Sequence, residues 1–339
     1  MGAVKGFLAN YSGNLQAALV LWPVFSAMLT LPILAYLYHR DGRLRFGSVV
    51  ATYLAVLYVL GIGCFTLWPL PDGDVGPGIT YGVPANFNPL NFIGDIQKDG
   101  LRAVFQLLFN VVFFVPLGFI AGRLLRMRFW PTVLVALGTS VLVETAQYTG
   151  LFGLYDFAYR CCDVDDVITN TLGGAVGWML AAAFTMVMPQ KMEAVDITEH
   201  PGFLRRCVAL WIDLTIIQLG TLLVWLVISG GWQLATGALP QLPGLDSQQT
   251  NELAAGVIAA VLFLVVEVVV PWRHDGSTPG GSFVRMTCES HPRTTGYRIA
   301  FYVARTLTLA AALYVPFVAV PFLLVFYLIA RRMPYDYVP

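Results

Sequence analysis

Long apolar runs constrain this chain more than any other feature. They fall at about 15–38, 46–70, 103–122, 130–152, 165–189, 207–229, 253–271 and 300–330. A helix needs about 20 consecutive apolar residues to cross the hydrocarbon core of a bilayer. Inside lipid every backbone N–H and C=O must find its partner within the segment, which a run of this length achieves as a helix. The chain therefore reads as all-α, a polytopic helical transmembrane protein with about eight apolar segments. Composition agrees, since 57% of the residues are hydrophobic and the mean hydropathy is +0.70. Soluble chains hold roughly 45–50% apolar residues.

The loops between the runs alternate in charge. The 39–45 loop has three arginines and one aspartate, and 123–129 has three arginines and no acid. The 71–102 loop has four aspartates against Lys98 and Arg102, and 230–252 has Asp246 and Glu252 with no base. Lys and Arg are retained in the cytoplasm, so the N-terminus is expected outside and 39–45 inside. No small-residue cleavage site follows the first apolar stretch, which is expected to stay in the membrane as a span. Multi-pass insertion in a membrane, among its lipids, follows from this pattern. Lys plus Arg number 20 and Asp plus Glu 20, so no nucleic-acid partner is indicated. The five cysteines (64, 161, 162, 207 and 288) show neither CxxC nor His/Cys ligand spacing, so no metal, cofactor or disulfide framework is expected.

The 300–330 run is too long for one ordinary span and carries Pro316 and Pro321 near its middle, where each removes a helical hydrogen bond. It reads either as one kinked helix or as a re-entrant hairpin with both basic ends in the cytoplasm; the charge bias favours the hairpin. A polar stretch with proline at both ends, "PQKMEAVDITEHPG", divides the chain. The expected organisation is a five-helix domain over 1–189, a cytoplasmic linker over 190–202 and a second transmembrane domain over 203–339.

Polar residues concentrate in 144–173, "ETAQYTGLFGLYDFAYRCCDVDDVITNTLG". Glu144 and Gln147 lie one helical turn apart. Asp163, Asp166 and Asn170 follow i, i+3, i+7 spacing, so they share a stripe. Arg160 lies between the two groups, Asn110 lies in the preceding run, and Asn86, Asn88 and Asn91 lie in the loop before it. A carboxylate facing lipid costs several kcal/mol, so Glu144 must face protein or a water-filled cavity. Two readings fit the spacing. One is a structural network in which Arg160 neutralises Glu144 or Asp163 while the amides bridge helices. The other is an outward-open polar pocket that binds a ligand, with Trp68 and Tyr155 at its rim.

The motifs "NPLNF", "NVVFFVPLGF", "VETAQ" and "R..DVDDVITNTLGGAVG" resemble the VanZ-like family of bacterial membrane proteins, over roughly residues 45–185. The family is named for low-level resistance to the glycopeptide teicoplanin. The resemblance implies a cell-envelope role and a pocket built from Asn88, Asn91, Asn110, Glu144, Gln147, Arg160, Asp163, Asp166 and Asn170, with Pro116 in the same motif set. The resemblance names no ligand; the partner expected for such a pocket is a cell-wall precursor or a glycopeptide-type antibiotic. Gly173, Gly174 and Gly177 belong to the last motif, and small residues at this spacing let helix backbones approach closely.

Beyond residue 200, "HPGFLRRCVALWIDLTII", "DGSTPGGSFVRMTC" and "RRMPYDYVP" resemble the RDD family, named for one Arg and two Asp. Those would be Arg206, Asp213 and Asp336, with Gly281 standing where the family usually has Lys. Arg206 and Asp213 lie two turns apart on one helix face, a spacing that suits a buried pair. Glu267 is a further intramembrane acid, suited to a proton or cation path with Asp213 or to an interhelical contact. The leading expectation is recognition of an envelope component at the outer face, with the second domain as an anchoring or coupling module. Its rivals are a membrane enzyme acting on a lipid-linked envelope intermediate, with Glu144 and Asp166 as acid–base residues, and a transporter using Asp213 and Glu267.

Overall fold

The computed structural model describes residues 2–67, 85–155, 157–158, 161–189 and 196–339, with side chains from residue 13 onward. Among these residues the structure is helical, apart from isolated bridges at Asn86 with Asp163 and at Thr198 with Met286. Among the described residues, seven helices are long and apolar enough to cross a membrane. The chain forms two compact units: Met1–Leu29 with Arg45–Met192, and Thr30–Leu44 with Glu193–Pro339.

The first unit begins with the N-terminal part of α1 (Gly2–Asp41) and α2 (Phe46–Leu67). Trp22 of α1 donates from its indole to the Tyr53 carbonyl of α2 at 2.9 Å. After residue 85 comes α3 (Asn91–Asp99), a short helix with Phe92, Ile93 and Ile96 among Asp95, Lys98 and Asp99. Gly100, at φ +57°, turns the chain from α3 into α4 (Leu101–Phe119). Only glycine adopts that backbone without a Cβ penalty. Pro116 interrupts the hydrogen bonding of α4, which runs on as a π-helical turn at Ile120–Leu124. Next come α5 (Phe129–Tyr148), the four-residue α6 (Gly150–Gly153) and α7 (Val164–Val187).

The closest packing in this unit is between α4 and α7. A Cβ added to Gly173 or Gly177 would run into the carbonyl oxygen of Val111 or Val115, and one on Gly118 into that of Gly174. Small side chains therefore set how near the two backbones lie, as the glycine motif leads one to expect.

The second unit contains α8 (Phe203–Thr236) and α9 (Ser247–Leu264). Asp246 starts α9 with a capping box: its Oδ1 accepts from the Gln249 amide at 2.7 Å, and Gln249 Oε1 accepts from the Asp246 amide at 3.1 Å. A π-helical turn at Val265–Val269 carries Glu267 and leads into α10 (Val270–Arg273) and α11 (Pro279–Phe283). The residues of α1 that belong to this unit pack through Leu34, Ala35 and Tyr38 against Val208, Ala209, Val284 and Met286.

The 300–330 run resolves into α12 (Thr295–Tyr314) and α13 (Pro316–Ala330), broken at Val315. They form a hairpin. Leu323 of α13 shares an apolar cluster with Phe301 and Tyr302 of α12. Beyond α13, the Tyr335 ring meets Phe301 edge-on at 5.7 Å, so the chain has returned to the start of α12. Pro316 takes the first position of α13, where a missing N–H costs nothing.

Candidate functional site

The polar residues of the first unit collect where α3, α4, α5 and α7 present their ends. Asn86 is the pivot. Its backbone N–H donates to the Cys162 carbonyl at 2.8 Å, and its own carbonyl accepts from the Val164 amide at 2.9 Å. Its side-chain amide donates to Asp163 Oδ1 at 3.0 Å, while Asn86 Oδ1 accepts from Asn91 at 2.6 Å and from the Asn88 backbone at 3.1 Å. Asn88 in turn donates to Asn91 Oδ1 at 2.9 Å. These asparagines clamp the loop before α3 onto the start of α7.

Asp163 is the N-cap of α7, accepting from the Asp165 amide at 2.9 Å. A carboxylate there satisfies an otherwise orphaned N–H and complements the helix dipole. Glu144 Oε2 accepts from the Asp163 backbone amide at 3.1 Å, which fixes the end of α5 against the start of α7. Asp165 accepts from the Phe92 amide of α3 at 3.0 Å, and Asp166 accepts from Asn110 of α4 at 2.6 Å. Deeper along α7, buried Asn170 donates to Ser140 Oγ at 2.9 Å, and Gln147 donates to the Thr66 carbonyl at 2.7 Å. Arg160 and Trp68 lie outside the described residues. Tyr155 packs on Phe157, with ring centroids 5.9 Å apart.

Beside this network lies a cavity of about 390 Å³. Of the candidates read from the sequence, Asp163 and Asp166 line it. The rest of its wall comes mainly from residues outside those pocket candidates: Asp165 of α7, Asp95 and Asp99 of α3, and Arg102 and Gln106 of α4, with Phe92 and Leu107 on the apolar side. The signal was available in the pairs 95/99 and 102/106, each spaced one turn apart, but the turn at Gly100 that brings them to one cavity is not visible in a periodicity. No disulfide joins Cys161 to Cys162. Burial raises both thiols above their usual pKa, and the carboxylate of Glu144 adds to the rise at Cys162.

The second unit holds its own polar constellation. Arg206 pairs with Asp336 rather than with Asp213: Nη2 donates to Asp336 Oδ2 at 2.9 Å, and Nη1 to the Tyr335 hydroxyl at 3.0 Å. Asp213, wholly buried, faces the GSTPGG segment. It accepts from the Thr278 hydroxyl at 2.6 Å and from the Gly280 amide at 2.7 Å. The two-turn spacing put Arg206 and Asp213 on one face, but the chain around α11 comes close enough to satisfy the carboxylate itself. A Cβ on Gly280 would run into the Ala209 carbonyl oxygen. Gly281 donates its amide to Thr278 Oγ1 at 2.9 Å and holds that hydroxyl on Asp213. Glu267, also wholly buried, pairs with Arg305 of α12 at 2.6 Å.

Two family models match the chain, one over each constellation. The VanZ/LLP1 family matches residues 53–185, which contain the asparagine–carboxylate network and the acidic cavity. The RDD family matches residues 200–338, which contain Arg206, Asp213 and Asp336. Neither a curated protein nor a solved structure matches the chain. The chain is thus a multi-pass membrane protein in which a VanZ/LLP1-family domain is followed by an RDD-family domain.

Proposed function

We propose that this is a cell-envelope protein of the bacterial plasma membrane, with its N-terminus outside. Its first domain recognises an amine-bearing amphiphile, a cell-wall precursor or a glycopeptide-type antibiotic, at the outer face. The observation that supports this reading is the charge of the 390 Å³ cavity: among the described residues, Asp95, Asp99, Asp163, Asp165 and Asp166 line it together with the single base Arg102. Acids concentrated in a cleft attract and hold a cation, and ligand cavities commonly fall between about 300 and 1,000 Å³. Phe92 and Leu107 give the apolar part of such a ligand a wall to lie on.

The test is a titration of teicoplanin, and of teicoplanin with its amine acetylated, into the full chain in lipid nanodiscs. The charged form binds several-fold more tightly to the unaltered protein. Asp95→Asn with Asp99→Asn, both on exposed α3 positions, removes most of that difference. Equal affinity for the two forms sinks the proposal.

A further inference from the structure

A cavity of about 100 Å³ lies within the second unit, beside the RDD constellation. Arg206, Asp213, Thr278 and Arg305 make its polar wall, and α12 and α13 supply an apolar side. Arg305, 7% exposed and part of the cavity wall, has no hydrogen-bond partner for Nε among the described residues. Buried donors are otherwise almost always paired, so an orphaned guanidinium N–H in the wall indicates a further ligand.

The walls decide what that ligand is. A bare cation meets two guanidinium groups, and an anion meets the Asp213 carboxylate. A sugar or a lipid headgroup would leave most of its polar atoms unpaired against the apolar α12 and α13 side. A neutral molecule that both donates and accepts, with a share of liquid volume near 30 Å³, fits. We propose that the cavity holds a small cluster of ordered water, which accepts from Arg305 Nε and joins the Glu267–Arg305 pair to Asp213. The Asp213 oxygens accept one protein hydrogen bond each, from Thr278 and Gly280, which leaves each a lone pair for water. A wet core of this kind explains how a fully buried ion pair and a second buried carboxylate coexist within one small domain.

Radiolytic hydroxyl-radical footprinting of the full chain in nanodiscs tests this, because radicals form where water is. Met286, Cys288 and Met333 line the cavity and are 5%, 4% and 5% exposed. Cys64, 8% exposed and in the first unit, is a buried comparator of similar intrinsic reactivity. The three cavity residues are expected to label several-fold faster than Cys64. Ala312→Leu, which places a larger apolar group in the cavity wall without touching the charges, brings their labelling down to the Cys64 level while helical circular dichroism is unchanged. Labelling of the unaltered protein no faster than Cys64 overturns the proposal. So does fast labelling that Ala312→Leu leaves unchanged, since the water would then lie elsewhere.

Discussion

Arg305 Nη2 lies 2.6 Å from Glu267 Oε2, and the same guanidinium donates through Nη1 to the Glu267 carbonyl at 2.8 Å. Side-chain exposure is 8% for the arginine and 0% for the glutamate. Two charges held this far from bulk solvent depend on each other. Removing one partner, as in Arg305→Ala or Glu267→Ala, is expected to destabilise the second unit by about 3–5 kcal/mol, because a buried charge is left unpaired. Replacing both, Glu267→Leu with Arg305→Met, is expected to be near neutral or stabilising, since the desolvation of both ions is then avoided. Thermal unfolding in one detergent decides: a double variant as unstable as either single variant refutes the argument.

Arg305 also shows what can be read from the chain alone. A lone arginine inside an apolar run of about 30 residues requires a partner, and Glu267 was visible as an acid in the run before it. The pairing was not visible, because it depends on the hairpin break at Val315 and on how α12 meets the π-helical turn at Val265–Val269. The spans themselves were legible, since lipid demands long apolar helices and leaves few alternatives. The acidic cavity was half legible. Asp163 and Asp166 announce themselves at the start of a helix, while Asp95 and Asp99 sit on a nine-residue helix too short and too polar to stand out from its loop.

Arg206 and Asp336 are joined across 130 positions of sequence, with Nη2 to Oδ2 at 2.9 Å and Nη1 to the Tyr335 hydroxyl at 3.0 Å. Asp336 Oδ2 also accepts from the Met333 amide at 2.9 Å, so the tail after α13 is folded around this one carboxylate. A lysine keeps the charge but loses the planar fork that reaches both Asp336 and Tyr335. Arg206→Lys is therefore expected to cost about 1.5–3 kcal/mol, the range for hydrogen bonds to charged groups. It also opens the tail to proteolysis. A tail cut no faster than in the unaltered protein, with the same unfolding temperature, would show that charge alone suffices.

Gly177 and Gly173 test the packing of α4 on α7. An alanine at either position places its Cβ against a backbone carbonyl, of Val115 or Val111, which cannot rotate aside. Overpacking of this kind costs about 1–3 kcal/mol, so Gly177→Ala and Gly173→Ala should each lower the unfolding temperature. Gly138→Ala on α5 meets nothing within 4 Å and should instead be neutral or stabilising, because alanine is the better helix former. The comparison of Gly138→Ala with the other two separates helix propensity from steric contact. If all three behave alike, the close approach of α4 and α7 is not what these glycines serve.

The adjacent thiols report on the electrostatics of the candidate site. Burial pushes both Cys161 and Cys162 above the ordinary thiol range, and at Cys162 the Glu144 carboxylate is the next cause of the rise. The thiolate is the reactive form. Alkylation of Cys162, measured in a Cys161→Ser background, should therefore climb with pH through a midpoint above the roughly 8.5 of free cysteine. Glu144→Gln keeps an acceptor for the Asp163 amide while removing the negative charge. With less repulsion the thiolate forms more readily, so the midpoint moves down and alkylation at a fixed mildly alkaline pH becomes faster. A midpoint that stays put or rises would mean that the Glu144 charge is already neutralised within the site.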